Sequence, residues 1–436
     1  MIVKKTQHMP EESDKVRVLQ RKLYVAAKKE PKRIFGILYD KLHRMDVLIR
    51  AWNDVRQKKG SAGIDKVTIQ EVERQGVLEL LFEIQSELIE ERYRPPAVRR
   101  VLIPKPGKNG AKRPLGIPTV KDRIVQTATK LVIEPLFEAS FLDCSFGFRP
   151  KKNPHQAHAQ VQRFVIGGYR EVVDVDLKSY FTMIPHERLM LCVKKRVRDP
   201  KVLRLIKRWL KAGILDDGQY VRTVEGVPQG GPLSPLLSNI YLHVIDKVWT
   251  EKYPETTLVR YADDLRLLCK RQSKKYMEKL SALLNWHGLK INQEKSQAVH
   301  ARDGFDFLGQ HFRLKPSRKW KGWQFCYRWP SKKAMNSIKE KIRNAIGYDD
   351  IYSLEDKIGV VNPIIRGWCQ YHHYSNAAKH FHVIDSYVYT KFVGFMRRKH
   401  RWRGSGYRKA PRSFFEKLGL YHLHGKIRRW SLKATV

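Results

Sequence analysis

Cysteine, acid and long apolar stretches are what this sequence has least of. Five cysteines, at 144, 192, 269, 326 and 369, are scattered through 436 residues with no CxxC pair. Such a set offers no disulfide framework and no cysteine zinc site, and it fits a reduced, cytoplasmic protein. Asp and Glu number 43 against 86 Lys and Arg, a formal net charge of +43. A surplus of that size makes a folded chain repel itself unless a polyanion shares its surface. Nucleic acid is therefore the leading partner, ahead of an anionic membrane. The longest uncharged run, which includes Val227 to Ile245, is broken by Pro228, Gly230, Gly231, Pro232 and Pro235. A spanning helix needs about 20 mostly apolar residues without such breaks. The opening residues, MIVKKTQHMPEESDKVR, contain no apolar secretory core. Both absences point away from the membrane.

What is present argues for packed cores. The chain is 42% hydrophobic and 11% aromatic, too much for a disordered basic tail. Its length suggests roughly three domains, and no fixed-period repeat suggests a solenoid. Leu19, Leu23 and Ala26, then Ile34, Ile37, Leu38 and Leu42, stand at helical spacing and predict one or two basic N-terminal helices. After a glycine-punctuated turn at 59–63, the pattern predicts helix over 66–92, an extended segment over 98–106, a Gly/Lys loop and helix over 121–140. Further helices are expected over 182–212, 234–250 and 273–287, and a hairpin-like piece over 304–314.

From about residue 312 the composition shifts, to 28 Lys and Arg against 7 Asp and Glu, with no acid between Asp385 and Glu416. Trp320, Trp323, Trp329, Trp368, Trp402 and Trp430 are interleaved with that charge. Cations mixed with stacking faces suit single-stranded nucleic acid, although any one of these rings serves equally well as core.

Against this basic background two apolar strand segments carry acids. One is Glu171-Val-Val-Asp-Val-Asp-Leu177. The other is a hairpin, Leu258–Tyr261 and Leu265–Cys269, with Asp263-Asp264 at its turn. Joining nucleotides is an in-line displacement at phosphorus, in which two divalent ions about 4 Å apart clamp the attacking and leaving oxygens. Magnesium takes hard oxygen ligands, so a few carboxylates from adjacent strands suffice. Asp174 and Asp176 share one face of a strand, and spacing does not choose between them. An Asp-Asp pair alone reads as a polar turn. The histidine pairs His372-His373, His380-x-His382 and His422-x-His424 lack a cysteine pair or acid to complete a metal set, and favour RNA contact or core packing.

The surrounding residues decide the matter. Arg260-Tyr-Ala-Asp-Asp264, preceded by Gly226-Val-Pro-Gln-Gly-Gly-Pro-Leu-Ser-Pro-Leu-Leu-Ser-Asn-Ile-Tyr-Leu242, resembles the reverse transcriptases encoded within group II introns. Ile103-Pro-Lys-Pro-Gly through Arg123, Ser145-Phe-Gly-Phe-Arg-Pro150, Val173-Asp-Val-Asp-Leu-Lys-Ser-Tyr-Phe181, Leu289–Ser296 and Phe307-Leu-Gly309 follow the family's order. Ala62-Gly-Ile-Asp65 is similar to the extra N-terminal block of this family, and Ile365-Arg-Gly-Trp368 with Tyr371 and Tyr374 to its thumb, or maturase, domain.

The resemblance implies an α+β, right-hand polymerase: fingers and palm built on antiparallel sheet, a helical thumb and a basic C-terminal region. The expected boundaries are 1–60 for an N-terminal helical extension, 61–312 for fingers and palm, 313–400 for the thumb and 401–436 for a basic tail. It implies an RNA-directed DNA polymerase using two Mg²⁺ ions, held by catalytic Asp176, Asp263 and Asp264. An aromatic five positions after the first aspartate selects Asp176 and makes Phe181 the gate against a 2′-hydroxyl. Lys105, Arg113, Gln229 and Lys295 would join Phe181 around the dNTP. Arg366, Trp368, Arg397, Arg398, Lys399, Arg401 and Arg403 would contact RNA or DNA. The implied partners are the parent group II intron RNA, bound as a splicing cofactor, a DNA target and primer, and dNTPs. Intron mobility would proceed by target-primed reverse transcription in the bacterial cytoplasm. With no C-terminal cysteine pairs, no HNH endonuclease is expected. The alternative is a domesticated, intron-free enzyme of DNA repair or phage defence. Two departures stand out: Thr182 follows Tyr180-Phe181 where an acid is common, and Arg266 occupies an apolar or small polar position, expected to touch primer or face solvent.

Overall fold

The computed structural model describes residues 10–104, 110, 112–216, 218–317, 321–348 and 351–428. Lys105, Trp320 and Trp430 lie outside them. The described strands are β1 (Val98–Pro104), β2 (Lys112–Ile117), β3 (Glu171–Asp176), β4 (Ile214–Asp216), β5 (Gln219–Val221), β6 (Thr257–Tyr261), β7 (Asp264–Cys269), β8 (Gln297–His300), β9 (Phe305–Phe307), β10 (Gln310–Pro316) and β11 (Gln324–Pro330). They form three sheets, ordered β2-β1-β4-β5, β6-β7-β3-β8 and β11-β10-β9. Every pairing is antiparallel except β1 with β4. With the helices that cover the sheets, this is the expected α+β architecture.

The central sheet follows from β-branched residues at period two. Val173 and Val175 of β3 point into the large core, which also takes Leu265 and Leu267 of β7. The opposite face of β3 runs Val172, Asp174, Asp176. Val172 is capped by a second cluster containing Phe146, Val161, Phe305 and Phe312, so burial fades along the strand toward its carboxylates. Helix Ser234–Lys252 is buried on every side from Leu236 to Leu242, beneath the sheet.

Some expected helices are broken. The one predicted over 66–92 divides into Ile69–Gln75 and Val77–Ile89 at Gly76, whose φ of 120° is open only to glycine. The one predicted over 182–212 divides into His186–Lys194 and Pro200–Lys211. Asp199 caps the second, accepting from the amides of Lys201 and Val202 at 2.9 and 3.2 Å. Near the N-terminus, Pro10–Lys29 and the single turn Tyr39–Leu42 are helical, but Ile34 and Ile37 lie between them and are exposed.

Residues 10–57 do not stand apart. Val16, Leu23, Ala27, Leu48 and Trp52 belong to the same core as the helix Val120–Glu138 and the central sheet. Asp199 ties them in, accepting from the amides of Leu38 and Tyr39, both at 2.8 Å. Beyond β11, helices Lys332–Ile346, Leu354–His372 and Ala378–Lys399 build a separate core from Ile338, Ile342, Ile358, Val361, Ile365, Phe381, Ile384 and Phe392.

Candidate active site

β3 and β7 pair so that Asp176 faces Asp264 and Asp174 faces Arg266. Directly opposed residues bring their Cβ atoms to about 5 Å. Asp263 sits in the two-residue turn that joins β6 to β7, where Tyr261 pairs with Asp264. The end of β3 is fixed from the other side, because the Asp176 amide donates to the Ser296 hydroxyl at 3.0 Å and the Asp176 carbonyl accepts from Asn292 at 2.8 Å. The same segment brings the Lys295 ammonium to 3.6 Å from the Asp176 carboxylate.

The hairpin rests on a buried polar network. Arg260, wholly buried, donates to both oxygens of the equally buried Asp246, to Asn239 at 2.9 Å and to the Ala262 carbonyl at 3.0 Å. Asn239 in turn donates to the Gly147 carbonyl at 2.8 Å. Gly147 lies against the turn so closely that a Cβ there would overlap the Ala262 amide. Ala262 itself has a φ of 58°, a left-handed conformation that costs a residue with a Cβ. The turn is therefore clamped into a shape its own sequence does not favour. Sequence reasoning gave Arg260, Asp246 and Asn239 no role. Their signal was present: a charge inside an apolar strand, and another inside an apolar helix, must be paired.

The carboxylates crowd one another. Burial raises the Asp263 carboxyl above its ordinary pKa, Asp264 and Asp176 push it further, and Arg113 opposes them. Asp174 is pushed up to about 6, chiefly by burial. Hard oxygen donors that repel one another fit a divalent cation such as Mg²⁺. No three His, Cys, Asp or Glu side chains are gathered as ready metal ligands among the described residues. Asp264 is turned onto Arg266 instead, at 2.6 Å.

Across the cleft, Gln229 lies on β2. Its carbonyl accepts from the Gly116 amide at 2.6 Å, and its side chain accepts from Arg113 Nε at 2.8 Å. Gly230, with φ of 123°, passes so close to the Gly116 carbonyl that a side chain could not enter. Arg113 and Gln229 are thus brought together on the side facing Asp263. Phe181 follows β3 in a single 3-10 turn. It is 8% exposed, packs in the main core and accepts from the Val227 amide through its carbonyl at 2.7 Å. Arg266 neither faces solvent nor lies open to a primer. Its side chain is buried with its two terminal nitrogens on the Asp174 and Asp264 carboxylates and the Leu265 and Asp306 carbonyls.

The residues expected to contact nucleic acid fall in two places. Arg397, Arg398, Arg401 and Arg403 are exposed around the end of the helix Ala378–Lys399. There Arg398 stacks on Tyr348, and Lys399 donates to the Tyr352 carbonyl at 2.7 Å. Arg366 stacks on Tyr421. Trp368 lies half-buried against His372 and Phe381, at a groove of about 510 Å³ that includes Gly309, Lys341 and Tyr371. His372 is core, and burial presses its pKa down to about 3.

The chain is similar to known proteins over much of its length. Residues 103–312 match the family described as reverse transcriptase (RNA-dependent DNA polymerase), and residues 335–415 the group II intron, maturase-specific domain. Protein YkfC of Escherichia coli (strain K12) is 33% identical over 341 residues, covering 69% of this chain and 89% of that protein. Group II intron-encoded protein LtrA of Lactococcus lactis subsp. cremoris is 39% identical over 215 residues. That alignment covers 49% of this chain but spans only 35% of LtrA. Among solved structures, a partial Cas6-RT-Cas1–Cas2 complex aligns at TM-score 0.35 and 22% identity, over 57% of this chain and 42% of that one. The chain belongs to the reverse transcriptases of the group II intron type, in which an RNA-directed DNA polymerase is joined to a maturase domain.

Proposed function

We propose that this polymerase copies RNA into DNA at Asp176, Asp263 and Asp264 and also binds its parent group II intron RNA as a splicing cofactor, supporting intron mobility by target-primed reverse transcription. The observation that carries the reading is the convergence of these three aspartates at one end of the central sheet, facing the Arg113–Gln229 pair. Two Mg²⁺ ions held by those carboxylates would stabilise charge on the attacking and leaving oxygens. The chain's own groups do the rest. Arg113 holds the triphosphate as a fork donor, the role also expected of Lys105, which lies outside the described residues. Gln229 leaves Arg113 to meet the nucleotide or template. The Phe181 ring fills the space a 2′-hydroxyl would need. Lys295, beside Asp176, neutralises charge as pyrophosphate departs.

On this reading residues 61–312 are fingers and palm and 313–400 the thumb. The segments 1–60 and 401–436 then anchor RNA, with Arg366, Trp368, Arg397, Arg398, Lys399, Arg401 and Arg403 on its phosphates and unpaired bases. Copying and splicing share a surface and separate by mutation. The double change Asp263→Asn and Asp264→Asn should abolish cDNA synthesis, while intron RNA binding and RNA-catalysed splicing persist. A folded, RNA-bound double variant that no longer splices would remove the separation. RNA recovered with the protein from its host tests the partner. One dominant intron RNA supports the maturase role, and a scatter of unrelated RNAs favours the domesticated enzyme.

A further inference from the structure

Arg266 lies beside the aspartates, and neither the family pattern nor the reaction chemistry accounts for it. It lies on β7, two positions after Asp264, with its side chain 7% exposed. Its Nη1 reaches Asp174 at 2.7 Å and Asp264 at 2.6 Å. Its Nη2 donates to the Asp306 carbonyl at 2.8 Å, and its guanidinium lies 4.9 Å from the centre of the Phe307 ring. Asp306 and Phe307 belong to β9, in a different sheet from β7. The turn that follows β9 is gripped by the helical domain, because the Tyr371 hydroxyl donates to the Leu308 carbonyl at 2.7 Å. One guanidinium therefore joins a strand acid, the hairpin acid and the strand that meets the helical domain. A planar fork does this where an ammonium cannot.

We propose that Arg266 is a positioning residue, a resident counter-ion that holds the Asp264 carboxylate in place against Asp174 and β9 and that a divalent cation must compete with to reach Asp264. The proposal rests on the reading of Asp264 as a metal ligand. Two opposing consequences follow. Without Arg266 the carboxylate cluster is more negative, so the bare cation binds more tightly, yet Asp264 is no longer aimed. Without Asp174 the guanidinium has only Asp264 to pair with, so the cation binds more weakly. A side chain that merely filled space would not move cation affinity upward.

The test is Mn²⁺ binding to the full chain without nucleic acid, followed by calorimetry and by the electron paramagnetic resonance of free Mn²⁺, alongside cDNA synthesis. Arg266→Met should bind Mn²⁺ roughly tenfold more tightly while kcat falls roughly 10- to 100-fold, the range for residues that orient metal ligands. Arg266→Lys should keep near-normal affinity and still lose rate. Asp174→Asn should weaken Mn²⁺ binding. Unchanged or weakened Mn²⁺ binding in folded Arg266→Met overturns the proposal. If that variant does not fold, Asp174→Asn decides, and normal or tighter binding there overturns it. Asp264→Asn separates the two levels: wild-type Mn²⁺ affinity in that variant removes Asp264 as a ligand, and with it the reading on which Arg266 depends.

Discussion

The proposed gate residue, Phe181, is also a core side chain. It is packed in the main core beside Tyr180, and it stands just past the strand that ends in Asp176. Phe181→Val should raise incorporation of UTP relative to TTP on an RNA template, at a stability loss on the order of 2 kcal/mol from the cavity left behind. The ratio of the two nucleotides, measured beside a thermal melt, checks both. An unchanged ratio in a folded protein removes Phe181 as the gate. Among single residues, legibility depended on where the partner lay. Asp263 and Asp264 were visible at a turn between apolar runs, but the pair alone read as a polar turn and only the surrounding motif gave it a role. Asp176 could not be told from Asp174 by spacing, and only the family pattern chose it. Arg266 was misread because its partners, Asp174 and Asp306, come from strands far away in sequence. A side chain's environment across a sheet is set by register, which no local pattern contains.

The hairpin that carries Asp263 and Asp264 shows how an element can be held from beneath. Its turn keeps Ala262 left-handed while Gly147 presses on it from a loop more than a hundred residues earlier. Gly147→Ala would meet backbone, which cannot swing aside as a side chain does. Displacing Asp263 by a fraction of an ångström to an ångström should cost roughly a hundredfold in kcat. Gly359, helical and with open space where its Cβ would be, is the control, since Gly359→Ala should leave the rate intact and add up to about 1 kcal/mol of stability. Steady-state rates and melting curves of both variants distinguish the cases, and equal rates would mean the turn tolerates the push. Strands β3, β6 and β7 and the long helices were legible because apolar period and length agreed. The helix breaks at Gly76 and Asp199 were not. The signals are short, Gly76 alone and Asp199-Pro200, and the apolar pattern continues across them.

For the whole molecule, the charge excess was visible in composition, whereas the joint between the palm-side cluster and the helical domain was not. That joint brings His158 of helix Pro154–Ile166 against Phe307, Phe312 and Tyr371. Burial holds His158 well below its ordinary pKa and His372 down to about 3. Unfolded histidine titrates near 6.5, so below that pH the unfolded chain takes up protons that the folded joint refuses. The stability is complete above about 6.5 and is lost progressively as pH falls toward 3. The melting temperature should therefore drop between pH 7.5 and 5, and His158→Phe should flatten the slope. An identical slope in that variant would place the titration elsewhere. The resemblance set residues 1–60 apart as an N-terminal extension, yet the helices there line the polymerase core and share Asp199 with the helix Pro200–Lys211. Deleting the first sixty residues would strip a wall from the enzyme, and lost splicing in such a deletion would report a collapsed building instead of a missing RNA grip. Charge reversals at Arg17, Arg21 and Lys22, which face solvent on Pro10–Lys29, repaint the outside of that wall and leave it standing.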